Sequence, residues 1–107
     1  MTTQIVAAVA MVFFAACAGA ADLEAGKKFA TEVCKACHEI DGNPKNPDYP
    51  KLAGQHPDYL AKTLRDYQSG ARNNAIMKGF ATMLKPEDIA DVAAWYADQA
   101  PVLTHKH

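Results

Sequence analysis

The 107-residue sequence has few cysteines, a single tryptophan and almost no net charge. Its eleven basic and twelve acidic residues give a formal net charge of -1. This balance argues against a nucleic-acid-binding protein, which would carry an excess of positive charge. Half of the residues are apolar, so the chain is neither a disordered tail nor a fibrous repeat. Its length is sufficient for one small domain.

No charged side chain occurs before Asp22. The apolar run Ile5–Phe14, followed by the small residues Ala18–Ala20, predicts a secretory signal peptide over residues 1–20 and a mature domain over residues 21–107. The run is short for a bilayer span, which needs about 20 residues. We therefore expect a periplasmic or otherwise exported protein with no stable membrane span after signal removal; a retained anchor is the alternative. Removal of Cys17 with the signal would leave two cysteines.

Three helices are expected in the mature chain. Apolar residues recur at the helical period, between proline and glycine punctuation, in these segments: Leu23–Cys37, Pro57–Gly70 and Pro86–Pro101. No useful stretch alternates with a period of two, so the predicted fold class is all-α. The two connections, 39–56 and 71–85, are long for so small a domain, and such loops normally wrap around something. A core this small also needs a stabilising cofactor, metal or disulfide.

The pentapeptide from Cys34 to His38 is the C-x-x-C-H pattern of covalent c-type heme attachment. Two thiols three residues apart at the end of a helix can reach the two vinyl groups of a porphyrin, and the next residue then points its imidazole at the iron. The pattern therefore predicts one heme c, bound through Cys34 and Cys37 and coordinated by His38.

Three other interpretations of the two cysteines are weaker. A thiol–disulfide redox motif normally opens a helix after a strand, and no strand is predicted before Cys34. A structural zinc site needs four ligands and would have to recruit the distant His56. A simple disulfide would leave His38 and the long loops unexplained.

An electron-transfer heme needs a second axial ligand. The residues outside the signal segment that could supply one are Met77, Met83, His56, His105 and His107. A thioether opposite His38 would raise the reduction potential and close the iron to other ligands. The methionine that does not coordinate iron is expected to fill space in the core.

These motifs resemble those of a small class I cytochrome c, most closely a single lobe of the bacterial diheme cytochromes c of the c4 and c553 type. The resemblance covers essentially the whole mature chain and rests on the segments Gly26, Cys34–His38, Asp41–Asn43, Tyr49–Gln55, Tyr59-Leu60, Tyr67–Asn74 and Asp88–Tyr96. It implies a class I cytochrome c fold, with three main helices and long loops around one covalently bound heme. Relatives often have an aromatic residue where Ala30 stands here, so we expect Trp95 or Tyr96 to repack the contact between the first and last helices.

The resemblance also implies roles for individual residues. Met77, the first methionine after the Arg-Asn stretch, is similar to the axial ligand of the relatives, so His38 and Met77 are the expected iron ligands. Pro50 resembles the proline whose carbonyl accepts the imidazole N–H of the heme histidine. Gln55 and Arg72 are expected to meet the heme propionates.

Together these features predict a soluble, exported monoheme cytochrome c that shuttles single electrons and is not an enzyme. Its expected partners are redox proteins, a reductase on one side and an oxidase or peroxidase on the other, bound weakly and transiently near the heme edge. One alternative is a heme c subunit fixed in a larger oxidoreductase complex. Another is a heme protein with an open iron site that binds small gases or acts like a peroxidase.

Overall fold

The computed structural model describes residues 20–103 of the chain. Residues 1–19 of the predicted signal peptide and the tail Thr104–His107 lie outside the described residues. Regular secondary structure over residues 20–103 is helical throughout, as the sequence predicts. None of the helices in this range is long and apolar enough to cross a bilayer.

Six helical segments follow one another along the chain. They are α1 (Leu23–Phe29), a π-helical segment (Ala30–Cys34), α2 (Lys35–His38), α3 (Pro57–Ser69), α4 (Ala75–Ala81) and α5 (Pro86–Ala97). The first three are continuous, so the predicted first helix is one helical stretch with wider turns in its middle. Proline occupies the first turn of α3 and of α5, where its missing N–H costs nothing. Gly70 ends α3 in the left-handed conformation (φ 85°), as predicted.

The beginning and the end of the domain pack against each other. Asp22 caps α1 through Oδ1, which accepts hydrogen bonds from the amides of Glu24 (3.0 Å) and Ala25 (3.1 Å). The Asp22 amide in turn donates to Oδ1 of Asp91 on α5 (2.8 Å). At the crossing of α1 and α5, a Cβ on Gly26 would lie 2.1 Å from the Asp91 carbonyl oxygen. The two helices can therefore approach this closely only because residue 26 is glycine.

The core lies between α1, α3 and α5. Its central cluster consists of Ala30, Leu60, Val92, Ala93 and Tyr96, with Phe29 and Trp95 packed against it. Ala30 is fully buried, so aromatic residues of α5 fill the space beside it, as expected. Leu23, the first residue of α1, is 40% exposed.

The second long connection is not the uninterrupted loop that the sequence predicts, because it contains α4. Asn74 caps this helix through Oδ1, which accepts from the amides of Ile76 (3.1 Å) and Met77 (3.0 Å). Seven residues give too few turns for a periodic pattern, and a helix this short depends on tertiary contacts. The expectation that the second methionine fills the core is also wrong. Met83 is 57% exposed, because the adjacent Leu84 takes the buried position after α4.

Candidate heme site

A cleft opens between α3, α5 and the first long connection. It holds about 870 Å³ of space not filled by protein atoms, and a second cleft adjoins it across shared lining residues. All seven site residues expected from the sequence border one or both clefts: Cys34, Cys37, His38, Pro50, Gln55, Arg72 and Met77. Residues as far apart in the sequence as Cys34 and Met77 thus converge, while His56 borders neither cleft.

The two thiols lie where the π-helical segment passes into α2. Cys34 and Cys37 are both half-buried, and they do not form a disulfide with each other. Burial raises the pKa of Cys34 to about 11, an effect partly offset by the nearby Tyr96 hydroxyl. The Cys34 thiol is therefore protonated at neutral pH. Two free thiols at the edge of an apolar cleft fit covalent attachment of a planar group.

His38 is buried, and one of its ring nitrogens is already occupied. Nδ1 lies 3.0 Å from the carbonyl oxygen of Pro50, so the ring donates its N–H there when the proton is on Nδ1. Nε2 then carries the lone pair that a metal ligand needs. Burial lowers the pKa of His38, against the opposing effect of the Pro50 hydrogen bond, and this favours the neutral ring.

Two aromatic residues of α5 hold the backbone that follows His38. The Tyr96 hydroxyl donates to the Glu39 carbonyl (3.0 Å), and Trp95 Nε1 donates to the Ile40 carbonyl (2.8 Å). Glu39 has φ 61° and ψ 165°, a region occupied almost entirely by glycine, which costs other residues about 1–3 kcal/mol. Sequence reasoning placed both aromatic residues in the core but did not identify these contacts. Their N–H and O–H groups, which need partners when buried, are the signal that could have found them.

Met77 and Met83 lie in different environments. Met77 is half-buried on α4 and borders both clefts, together with His38. Met83 is exposed and borders neither cleft. Of the two thioethers, the one that faces the cleft is therefore Met77.

Gln55 and Arg72 both border the first cleft. The guanidinium carbon of Arg72 lies 5.3 Å from the centroid of the Tyr67 ring, within range of a cation–π contact. Arg72 also lowers the pKa of the Tyr59 hydroxyl, through a hydrogen bond and its positive charge. This arrangement holds a positive charge at the cleft wall, where it could receive a carboxylate.

The remaining lining is largely apolar, and it includes Leu52, Leu60, Leu64, Val92 and Ala93. Two thiols, one imidazole, one thioether and one guanidinium around apolar walls match the chemistry of a heme with vinyl and propionate groups. The zinc interpretation would require a cluster of metal-binding side chains. Residues 20–103 contain no cluster of three or more His, Cys, Asp or Glu side chains able to hold a metal ion.

Comparison with known proteins identifies the family. The sequence profile described as cytochrome c matches residues 23–98. Over 80 residues, the chain is 46% identical to cytochrome c4 of Pseudomonas aeruginosa, a match that covers 75% of this chain and 39% of that relative. It is 44% identical over 84 residues to cytochrome c-554(548) of Halomonas halodenitrificans, a match that covers 75% of this chain and 99% of the relative.

A solved structure agrees with the sequence relatives. Reduced recombinant cytochrome c4 from Pseudomonas stutzeri is similar with a TM-score of 0.72 and 38% identity, over 78% of this chain and 48% of that one. The chain spans about two-fifths of the length of the cytochromes c4 that it matches in sequence. The chain belongs to the cytochrome c family and has the all-α fold of that class. It carries covalently bound heme c.

Proposed function

We propose that this chain is an exported monoheme cytochrome c that passes single electrons between redox proteins and has no catalytic group of its own. The observation that carries the proposal is that His38 and Met77, from separate elements, border the same two clefts. An iron held by both would be closed to substrates. The proposed export rests on the apolar segment within residues 1–20, with residues 21–107 as the mature domain.

Each expected site residue has a task in this proposal. Cys34 and Cys37 would hold the heme through thioether bonds, and His38 and Met77 would bind its iron. The bound heme would supply a centre that accepts and releases one electron. Pro50 fixes the His38 ring through the 3.0 Å contact with Nδ1. The charge-bearing Arg72, with Gln55, would receive the propionates. Protein contacts already hold the His38 ring and the Arg72 guanidinium, which would keep the structural rearrangement on electron transfer small.

An exposed apolar rim supports docking of redox partners. Ile76 (69% exposed), Phe80 (41% exposed) and Tyr49 border the second cleft together with Cys37. Apolar side chains around a redox centre suit the small, transient interfaces of electron-transfer complexes. We propose this rim as the surface where reductase and oxidase or peroxidase partners bind in turn.

The purified, exported protein tests the proposal directly. Its intact mass should exceed that of the polypeptide by one heme, and its ferric absorption spectrum should contain the far-red sulfur-to-iron band of methionine ligation. A colourless protein without added mass would contradict heme attachment. High-spin ferric features would favour an open iron, and therefore a gas-binding or peroxidase-like protein.

Substitution of the two methionines tests the ligand assignment. Met77→Ala should abolish the far-red band and allow external imidazole to bind the iron, because it removes the thioether that faces the cleft. Met83→Ala is the matched control and should leave the band unchanged. The reverse pattern would make Met83 the ligand.

The oligomeric state separates a free carrier from a fixed subunit. Size-exclusion chromatography of the protein isolated from its native membrane and periplasmic fractions should show a small free species. Stable co-elution with a larger oxidoreductase would instead support the subunit alternative.

A further inference from the structure

We propose that Gln68 is a positioning residue for Met77. Its side-chain amide fixes the end of α4 against α3 and thereby keeps the Met77 thioether turned toward the heme cleft. The inference rests on the proposed role of Met77 as an iron ligand.

The Gln68 amide donates to two carbonyl groups at once. Nε2 lies 2.7 Å from the Ala81 oxygen and 2.9 Å from the Leu84 oxygen. Gln68 is half-buried on α3, and both Ala81 and Leu84 are buried. Carbonyls at the C-terminal end of a helix lack partners within that helix, so one amide nitrogen supplies donors to the end of α4 and to the turn after it.

Helix α4 has few other means of staying in place. It has seven residues, and a helix of this length is not stable alone. A Cβ on Gly79 would meet no other atom within 4 Å, and the side chains of Ile76 and Phe80 are exposed. Ala81 and Met77 face the domain, and the ends of the helix are held by the Asn74 cap and by the Gln68 amide.

The Gln68 contact lies one helical turn from Met77. Met77 and Ala81 are four residues apart, so they share one face of α4. Ala81 is fully buried and Met77 is half-buried on that face. Release of the C-terminal end of α4 would therefore free the face that carries the thioether.

Hydrogen exchange and imidazole binding in the ferric, heme-loaded protein test this role. Gln68→Met keeps an unbranched side chain of similar size but removes both donors, and Gln68→Ala is a second variant. The matched control is Gln99→Met, because Gln99 is a half-buried glutamine whose Nε2 donates to one carbonyl, that of Trp95, at 2.9 Å.

We expect backbone amides of α4 to exchange about tenfold faster in the Gln68 variants, which corresponds to about 1.4 kcal/mol. The exchange rates of α5 amides, which serve as the internal reference, should change less than about twofold. Imidazole affinity should rise about tenfold in the Gln68 variants and stay unchanged in Gln99→Met.

Unchanged α4 exchange, unchanged imidazole affinity, or equal acceleration in α4 and α5 would each overturn the inference; the last would show general destabilisation only. Met77→Ala in the same assay separates this failure from failure of the proposed function. If Met77→Ala does not increase imidazole affinity, Met77 is not the ligand. If it does while the Gln68 variants do not, the positioning role alone is wrong.

Discussion

The two sides of the heme cleft are built differently. On the His38 side, the ring contacts a carbonyl of the first connection, and two aromatic residues of α5 hold the next two backbone carbonyls. On the Met77 side, a seven-residue helix with exposed outer side chains depends on an Asn cap and one Gln amide. The His38 side is therefore part of the core, whereas the Met77 side is a short helix that packs against the core.

Because its two sides are built differently, the domain can be rigid on one side of the cleft and adjustable on the other. The core side carries the thiols and the buried imidazole, which require a fixed relation to each other. The α4 side adds one ligand and the exposed rim, so its stability can change without loss of the attachment geometry. Local opening should accordingly begin at α4, since regions with few buried contacts open at the lowest free energy.

The largest effect is expected from Tyr96→Ala. It removes a fully buried aromatic ring and the hydrogen bond to Glu39, so the free energy of unfolding should fall by about 3–5 kcal/mol. Leu103→Ala is the control, because Leu103 is 82% exposed and borders neither cleft, and it should cost about 0.5 kcal/mol or less. Denaturant unfolding of the heme-loaded protein measures both. Equal losses would mean that the core side is not the more strongly held.

Glu39→Gly should stabilise the protein. Glycine accepts the backbone conformation of residue 39 without strain, and strain there costs about 1–3 kcal/mol. The greater flexibility of unfolded glycine offsets about 0.5–1 kcal/mol of this, so the unfolding free energy is expected to rise by about 1 kcal/mol. Glu32→Gly, within the helical stretch, should instead destabilise by about 1 kcal/mol. Loss of stability in both variants would contradict strain on the His38 side.

Asn74→Ala should weaken the Met77 side specifically. It removes the acceptor for the Ile76 and Met77 amides and should cost about 1 kcal/mol. Asn74→Gly, which lets water reach these amides, should cost only a few tenths of a kcal/mol, about a third of the alanine effect. Thermal loss of the far-red ferric band should occur earlier in Asn74→Ala than in Asn74→Gly. Identical melting of the band in both would show that the cap does not hold the ligand helix.

The smallest effect is expected from Met83→Ala. Its side chain is 57% exposed, so unfolding free energy should change by about 0.5 kcal/mol or less. A calorimetric scan of the heme-loaded protein measures the change. A loss of about 2 kcal/mol, typical of a buried methionine, would show that Met83 packs inward.

The sequence predicts the large elements well because their signals are local. Pro57 and Gly70 mark the ends of α3, and the apolar stripe of α5 is long enough to show its period. Helix α4 is not predicted from the sequence because its seven residues, one of which is Gly79, show little helical pattern. Part of its stability comes from Gln68, which lies in another helix, and contacts of that kind have no local signature.

The candidate site is predicted more fully than the fold around it. Attachment chemistry fixes the spacing of Cys34, Cys37 and His38, and this spacing is visible in five consecutive residues. Family resemblance adds Met77 and Pro50, and the structure brings both to the cleft. The hydrogen bonds from Trp95 and Tyr96 join residues more than 50 positions apart. Only the folded chain brings those groups together.

The crossing at Gly26 has a consequence for the order of assembly. Its partner, Asp91, also accepts a hydrogen bond from the Asp22 amide, 69 positions earlier, so the domain closes only when both α1 and α5 are present. Contacts between residues so far apart in sequence form slowly, because a large loop must first close. Before α5 packs in place, Tyr96 does not yet bury the Cys34 thiol. The thiol is therefore open to heme attachment for a time, and this access ends when α1 and α5 pack together.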